Sequence, residues 1–224
     1  MQRRFLKQFI YGCFFLLIAA LIGAVVYILF FRSPASCFDN RQNQNEEGID
    51  CGGLCEPCVL KTAKPIRVAS YKIFSINNKS VALIQLVNPN TDIGAEKFAY
   101  SLDIYVNPDI KLRTVSGESF IYPGEIKYII ESDLDYVASG IKRLGINIIE
   151  PKWRVAEAFL KPKIEIGNLK TQFLEDGITV QGMVKNNEAN VFSDVIVNIL
   201  LRDASGSFIG ATKTIVNSLA ALEE

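Results

Sequence analysis

Residues 10–31 read IYGCFFLLIAALIGAVVYILFF, 22 consecutive positions without a charged side chain. As an α-helix rising about 1.5 Å per residue, this run is roughly 33 Å long, enough to cross a hydrocarbon core of about 30 Å. Arg3, Arg4 and Lys7 precede it, and Arg32 directly follows. Positive charge is retained on the cytoplasmic side of a membrane. The expected topology is therefore a cytoplasmic N-terminus (residues 1–9), an uncleaved transmembrane signal anchor (10–31) and an extracytoplasmic remainder. A cleaved signal peptide shares the basic start, but its apolar core is about 7–15 residues, shorter than this one. Its cleavage pattern would fall at Pro34-Ala35-Ser36. Cys13 lies near the start of the run and reads as a small apolar residue in the membrane. Ala20 and Ala24 form a small-residue packing face, the basis for expecting self-association in the bilayer.

The chain has 24 basic and 24 acidic residues, but they are unevenly placed. Four of the basic residues and none of the acidic ones lie in the first 32 positions, so the outer part carries 20 against 24, a formal charge of −4. That balance argues against a nucleic-acid partner, which requires a basic stripe. There is no histidine, which removes histidine metal motifs and the Ser-His-Asp and Cys-His nucleophilic arrangements. No GxxxxGK or GxGxxG phosphate loop occurs. The expectation is a noncatalytic protein.

Directly after the anchor, residues 33–65 contain Cys37, Cys51, Cys55 and Cys58 in a polar, glycine-bearing stretch without apolar periodicity. Such a segment builds no core of its own and reads as a cysteine-rich stalk. Outside the cytoplasm four cysteines favour two disulfides, in any of three pairings. A four-thiolate zinc or iron–sulfur site and an exchange-active Cys55-Glu-Pro-Cys58 pair are the competing readings. Asp39, Asn43, Glu46 and Asp50 add oxygen atoms at spacings of 4, 3 and 4, and Gly48, Gly52 and Gly53 permit tight turns. Calcium takes such hard oxygen ligands, so these four residues are the candidate metal site; no other cofactor is indicated.

Cys37, Asp39, Asn43, Glu46, Gly48, Asp50, Cys51, Gly52, Gly53 and Cys55 resemble a cysteine-rich motif of predicted bacterial surface and secreted proteins, C-x-D-G-x-x-N-x-x-E-x-G-x-D-C-G-G-x-C. Asn40 stands where that pattern has glycine, and Asn also tolerates turn conformations. The resemblance implies an extracytoplasmic setting and no reaction.

The rest of the chain is mainly β. VALIQLVNPN (81–90) reads as a strand ending in a turn, and Phe98, Tyr100, Leu102, Ile104 and Val106 share one face of another. Tyr122-Pro123-Gly124-Glu125 turns the chain before a strand at 126–130, and 133–144 reads as a short helix or loop. Trp153 reads as an amphipathic core or boundary residue. The design recurs 97 residues later. Val81, Leu83 and Val87 match Ile178, Val180 and Val184; Phe98, Tyr100, Leu102 and Ile104 match Val195, Val197, Ile199 and Leu201; Asn90 falls opposite Asn187. A shared offset in apolar faces and turns predicts two copies of a β-sandwich, at 66–160 and 161–224. The second has expected strands at 163–173, 177–185, 192–202 and 207–216, with a hairpin at Asp203-Ala204-Ser205-Gly206. It stands one or more strands short, which leaves a sheet edge to be covered by the other domain, the terminal segment or another chain; the alternative is a truncated second sandwich.

Through VNPN (87–90) and the strand at 98–106, the first copy resembles immunoglobulin-like domains of the late-embryogenesis-abundant type. The second resembles the bacterial FxLYD-type extracytoplasmic module through Gly182, Val184, Asn186, the strand at 195–201 and Asp203-x-x-Gly206. Val191-Phe192-Ser193-Asp194 stands in place of the FxLYD signature itself. These likenesses imply a fold rather than an activity. The expected partners are the lipid bilayer and an unidentified envelope protein or ligand. A calcium- or small-ligand-sensing surface module is the alternative.

Overall fold

The computed structural model describes residues 2–30, 36–43, 45–76, 79–132, 134, 136–175 and 177–222. Phe31, Arg32, Pro34 and Ala35, on which the end of the anchor and its cleavage turn, lie outside them. The chain forms two compact units, Met1–Cys58 and Val59–Glu224.

The first unit contains helix α1 (Gln2–Phe30). Its stretch Arg4–Ile28 is the one helix among the described residues that is long and apolar enough to cross a membrane. Side chains across that stretch are exposed, including Phe9, Phe15, Leu16 and Ile22. No protein core claims them. A helix apolar all round, with its backbone groups satisfied internally, is suited to hydrocarbon rather than to water. The disulfide-bonded loop of the first unit runs to a single helical turn, α2 (Cys58–Lys61).

In the second unit, strands β1 (Arg67–Ile76), β2 (Lys79–Val87) and β5 (Ile126–Glu131) form one antiparallel sheet in the order β1-β2-β5. Strands β3 (Ile93–Asn107), β4 (Ile110–Ile121) and β6 (Arg143–Val155) form another, in the order β4-β3-β6. Alternation on β3 turns Phe98, Tyr100, Leu102 and Ile104 inward, against Ala82, Ile84 and Leu86 of β2 and Ile121, Ile129 and Leu144. The two sheets thus enclose one core, sandwich-fashion. Trp153 is partly buried at its edge. Between β5 and β6 the chain makes one short 3-10 turn at Ala138–Gly140, within the stretch expected as short helix or loop.

Four further strands follow: β7 (Ile164–Leu174), β8 (Gly177–Asn186), β9 (Phe192–Arg202) and β10 (Phe208–Leu219). Among the described residues they pair as β7-β8 and β9-β10. The hairpin closes at Gly206 (φ +83°), where the Asp203 carboxylate accepts from the Ser205 and Ser207 amides, both at 2.9 Å. Leu200, Phe208 and Ala211 of β9 and β10 pack on Phe74, Val81, Leu83 and Ile130, on the outer face of sheet β1-β2-β5. This contact explains why β2 is apolar at successive positions: Ala82, Ile84 and Leu86 serve the inner core while Val81 and Leu83 serve the outer one. A strand buried on both faces loses the apolar–polar alternation of a half-exposed one.

The repeat is visible in the register. Tyr100 pairs with Gly117 and Val197 with Thr214; Leu102 pairs with Val115 and Ile199 with Thr212. Those pairs keep the expected offset of 97. At the end of β2 the offset becomes 98. Buried Asn88 accepts from the Asn90 amide at 3.0 Å and donates to the carbonyls of Ile93 and Tyr122, at 2.8 and 2.9 Å. Buried Asn186 accepts from the Glu188 amide at 2.9 Å and donates to the carbonyls of Asn190 and Ala220, at 2.7 and 2.8 Å. Asn186 is therefore the counterpart of Asn88, and the Asn90–Asn187 match is one residue out. The slip matters because strand side chains alternate in direction. It set Val180 opposite Leu83, whose side chain serves the outer cluster; the corrected offset sets Val180 opposite Ala82, which faces the inner core.

Each of these asparagines joins the end of one strand to two other backbone segments. In an Asn88→Ala variant, two carbonyls and one amide lose their partner inside the fold, and each such loss costs about 1–3 kcal/mol. Chemical denaturation of the full chain in micelles should show a destabilisation of about 3 kcal/mol, whereas Ser70→Ala, at an exposed site, should change stability by less than about 0.5 kcal/mol.

Candidate functional site

In the first unit the cysteines pair as Cys37–Cys55 and Cys51–Cys58. The first joins the third and the second joins the fourth, so the two closed loops interlock. A bridge spanning 18 residues of sequence contributes about 3 kcal/mol by restricting the unfolded chain. This loop buries Glu46 and Asp50 rather than an apolar cluster. Asp50 accepts from the backbone amides of Asp39 and Asn40, at 3.0 and 3.1 Å. Glu46 accepts from the amides of Asn43 and Asp50, at 3.1 and 3.2 Å. Asp39 accepts from the Asn43 side-chain amide at 2.8 Å and the Arg41 backbone amide at 2.9 Å. The Asn43 bond, aided by the backbone amides, holds the Asp39 carboxyl below its ordinary 3.8.

The four residues expected to bind calcium are thus neighbours, and their carboxylates are directed at N–H donors. Asn43 Oδ1 is different: it is buried and accepts no hydrogen bond. Cys37, Cys55 and Glu46 place one ligand-type atom each within 4.8 Å of one another. The sulfurs, however, are joined to each other, and a disulfide offers no thiolate to a metal. Nor does it have a proton to donate, so the 3.1 Å approach of Cys55 Sγ to Glu46 Oε1 is a sulfur–oxygen contact.

The turns explain the spacing of the motif. Asn40 has φ +57° and Asp50 φ +55°, in the left-handed region that Asn and Asp tolerate best after glycine. At Gly52 (φ +78°) a Cβ would stand 2.7 Å from the Glu47 side chain. At Gly48 it would press on Cys51 Sγ at 3.1 Å. Gly52 is required by its backbone conformation and close approach, and Gly48 sits in a tight space beside the second disulfide.

In the second unit, among the described residues, two strands of the second repeat have an edge without a strand neighbour. Strand β2 pairs with β1 and β5, whereas β8 pairs only with β7; β3 pairs with β4 and β6, whereas β9 pairs only with β10. The effect on burial is direct. Phe98, Tyr100, Leu102 and Ile104 are buried, but Val195, Val197, Ile199 and Leu201 are only half-buried. Ile178, Met183 and Ile166 are exposed. The sequence gives this away only once the repeat is aligned, since each strand by itself is ordinary.

A third set of residues escaped sequence reading. Edge strand β5 alternates Lys127, Ile129 and Glu131 on its inner row, and Ile129 belongs to the inner core. Tyr100 donates its hydroxyl to Glu131, which also lies 3.5 Å from Lys213 of β10. Burial and the Glu131 bond push the Tyr100 phenol far above its ordinary value. Burial likewise pulls the Lys127 ammonium down, and Glu125 partly opposes that shift.

No protein-family model matches this chain, and no curated protein sequence matches it. The resemblances to the cysteine-rich motif and to the two immunoglobulin-like families therefore rest on the residues quoted for them.

Two outcomes follow for the knot. Peptide mapping without reduction should recover Cys37–Cys55 and Cys51–Cys58; a Cys55–Cys58 peptide contradicts the fold of this loop. A folded-state pKa below the unfolded one means that Asp39 stabilises the loop above the ordinary carboxylate value and that this contribution fades as pH falls through the folded one. The Arg41 amide resonance should accordingly move between pH 5 and pH 2, and Asp39→Asn should abolish the Asp39-dependent part of that shift.

Proposed function

We propose that this chain is a single-pass, noncatalytic envelope protein whose second repeat accepts an extended strand from a protein partner. In this reading α1 is a signal anchor with its N-terminus in the cytoplasm. The disulfide knot follows it on the outer side, and the two repeats are immunoglobulin-like. One observation carries the binding role: among the described residues β8 and β9 each have one strand neighbour where their counterparts β2 and β3 have two. The first repeat indicates what fits beside β8. Strand β5, IKYIIE, pairs antiparallel with β2 from Ala82 opposite Glu131 to Val87 opposite Ile126. The occupant is therefore an antiparallel strand with alternate apolar side chains, which gains backbone hydrogen bonds from the edge and buries the half-covered row beneath it.

The topology is tested by protease treatment of sealed inside-in vesicles, which should digest the chain after the anchor and spare residues 1–9. Strand addition is tested with the full chain in lipid nanodiscs and a peptide carrying residues 126–131 between solubilising lysines. Binding should slow amide exchange in β8, and a peptide with Ile129 and Ile130 replaced by Asp should not bind. Slow exchange along the open edge of β8 without peptide, or equal binding of the two peptides, overturns the reading.

A second reading is calcium binding by Asp39, Asn43, Glu46 and Asp50, supported by the unsatisfied Asn43 Oδ1. An ion there competes with the amides that Glu46 and Asp50 already hold. Calorimetric titration of the oxidised full chain with calcium decides it: heat that disappears in Asn43→Ala supports a site, and no heat at millimolar calcium removes it.

A further inference from the structure

The second unit contains a cleft of about 360 Å³ between the β4–β5 edge of the first repeat and strand β9 of the second. That volume lies within the range of about 300–1,000 Å³ typical of small-molecule sites. Phe120, Tyr128, Ile129, Phe192 and Ile196 supply apolar wall, and Lys127 supplies charge. Lys127 Nζ lies 3.6 Å from the centre of the Phe120 ring. Among the described residues it makes no hydrogen bond or ion pair.

The other charges of the cleft are differently placed. Glu118 is paired with Lys97 at 2.8 Å, and Lys213 approaches Glu131 at 3.5 Å. Asp194 stands exposed, on a backbone with φ +53°. Nearby Glu125 is occupied by the Tyr122 amide at 2.7 Å. Lys127 is thus the cation of the cleft that has no hydrogen-bonded or ion-paired partner among the described residues, with Glu125 as its nearby opposite charge. An ammonium partly withdrawn from water, resting on an aromatic ring and only partly offset by Glu125, is left without a hydrogen-bond acceptor. An anionic group entering the cleft supplies it, and the hydrocarbon attached to that group covers Phe120, Phe192 and Ile196.

We propose that this cleft binds a small organic anion, a carboxylate on an apolar chain or ring, with Lys127 taking the carboxylate and the aromatic wall taking the body. The site is independent of strand addition at β8. The same chemistry arises from a free acid or from the C-terminus of a peptide ending in an aromatic residue. A lysine pointing inward from an edge strand also guards that edge against pairing with other chains, and that role predicts no ligand.

The test uses the full chain in nanodiscs, with 4-phenylbutyrate, the neutral 4-phenylbutanamide and acetyl-Ala-Ala-Phe, followed by saturation-transfer NMR and titration. The butyrate should bind and the amide should bind at least about tenfold more weakly. Lys127→Gln should weaken the butyrate by a similar factor, and Lys127→Arg should retain it. Ile196→Trp, which fills the cleft from an exposed position, should abolish binding while circular dichroism stays unchanged. Peptide binding that exceeds butyrate binding identifies the C-terminal source; the reverse order identifies the free acid. Equal binding of acid and amide, no loss in Lys127→Gln, or no binding by any probe overturns the proposal and leaves Lys127 as an edge guard.

Discussion

The second unit depends on β2 being buried from both sides. Its even-numbered residues Ala82, Ile84 and Leu86 close the core against the β4-β3-β6 sheet, and its odd-numbered Val81 and Leu83 receive Ala211, Leu200 and Phe208 from the second repeat. Without that outer layer, Val81, Leu83, Phe74 and Ile130 would form an exposed apolar stripe on an otherwise ordinary sheet. At about 25 cal/mol per Å² of apolar surface, such a stripe strongly favours the covered state. The two repeats are therefore not independent beads on a string. The first supplies a complete core, and the second leans on its back.

Much of this was legible in the chain itself, for a physical reason. Strands buried on one face write alternation into their sequence, and β3 does so from Phe98 to Ile104. Strands β7, β8 and β9 also fall within a residue or so of their expected limits. Strand β4 was not expected in the first repeat, because KLRTVSGESF carries mostly polar and exposed residues and offers little alternation to read. Its counterpart at 207–216 was expected, so the repeat itself contained the missing signal. The one-residue slip at Asn186 has a different origin: apolar residues in β8 occur on both parities, and only the hydrogen bonds of the buried asparagine fix which face is inward.

The cysteine knot shows the opposite balance. Residue types were plain, but their purpose was not. Spaced Asp, Asn and Glu side chains among glycines satisfy the requirements of a cation loop and those of a loop clasped through its own amides equally well. In so small a segment, with no apolar core, backbone N–H groups near the disulfides need acceptors, and Glu46 and Asp50 provide them from buried positions. The pairing of first with third and second with fourth cysteine was open among three, because connectivity depends on how the turns at Asn40, Asp50 and Gly52 fold back.

The unequal strand pairing of the two repeats among the described residues also bears on local stability. Isolated two-stranded sheets are marginal in water. Of the two in the second repeat, β9-β10 is held against the first repeat through Ala211 and Leu200, while β7-β8 has exposed residues along most of its length. Local stability is then expected to fall from β2 through β10 to β7. A strand added beside β8 would place its new contacts in the least stable part of the unit and so order it, and the same linkage requires that ordering by any other means tighten the strand's affinity.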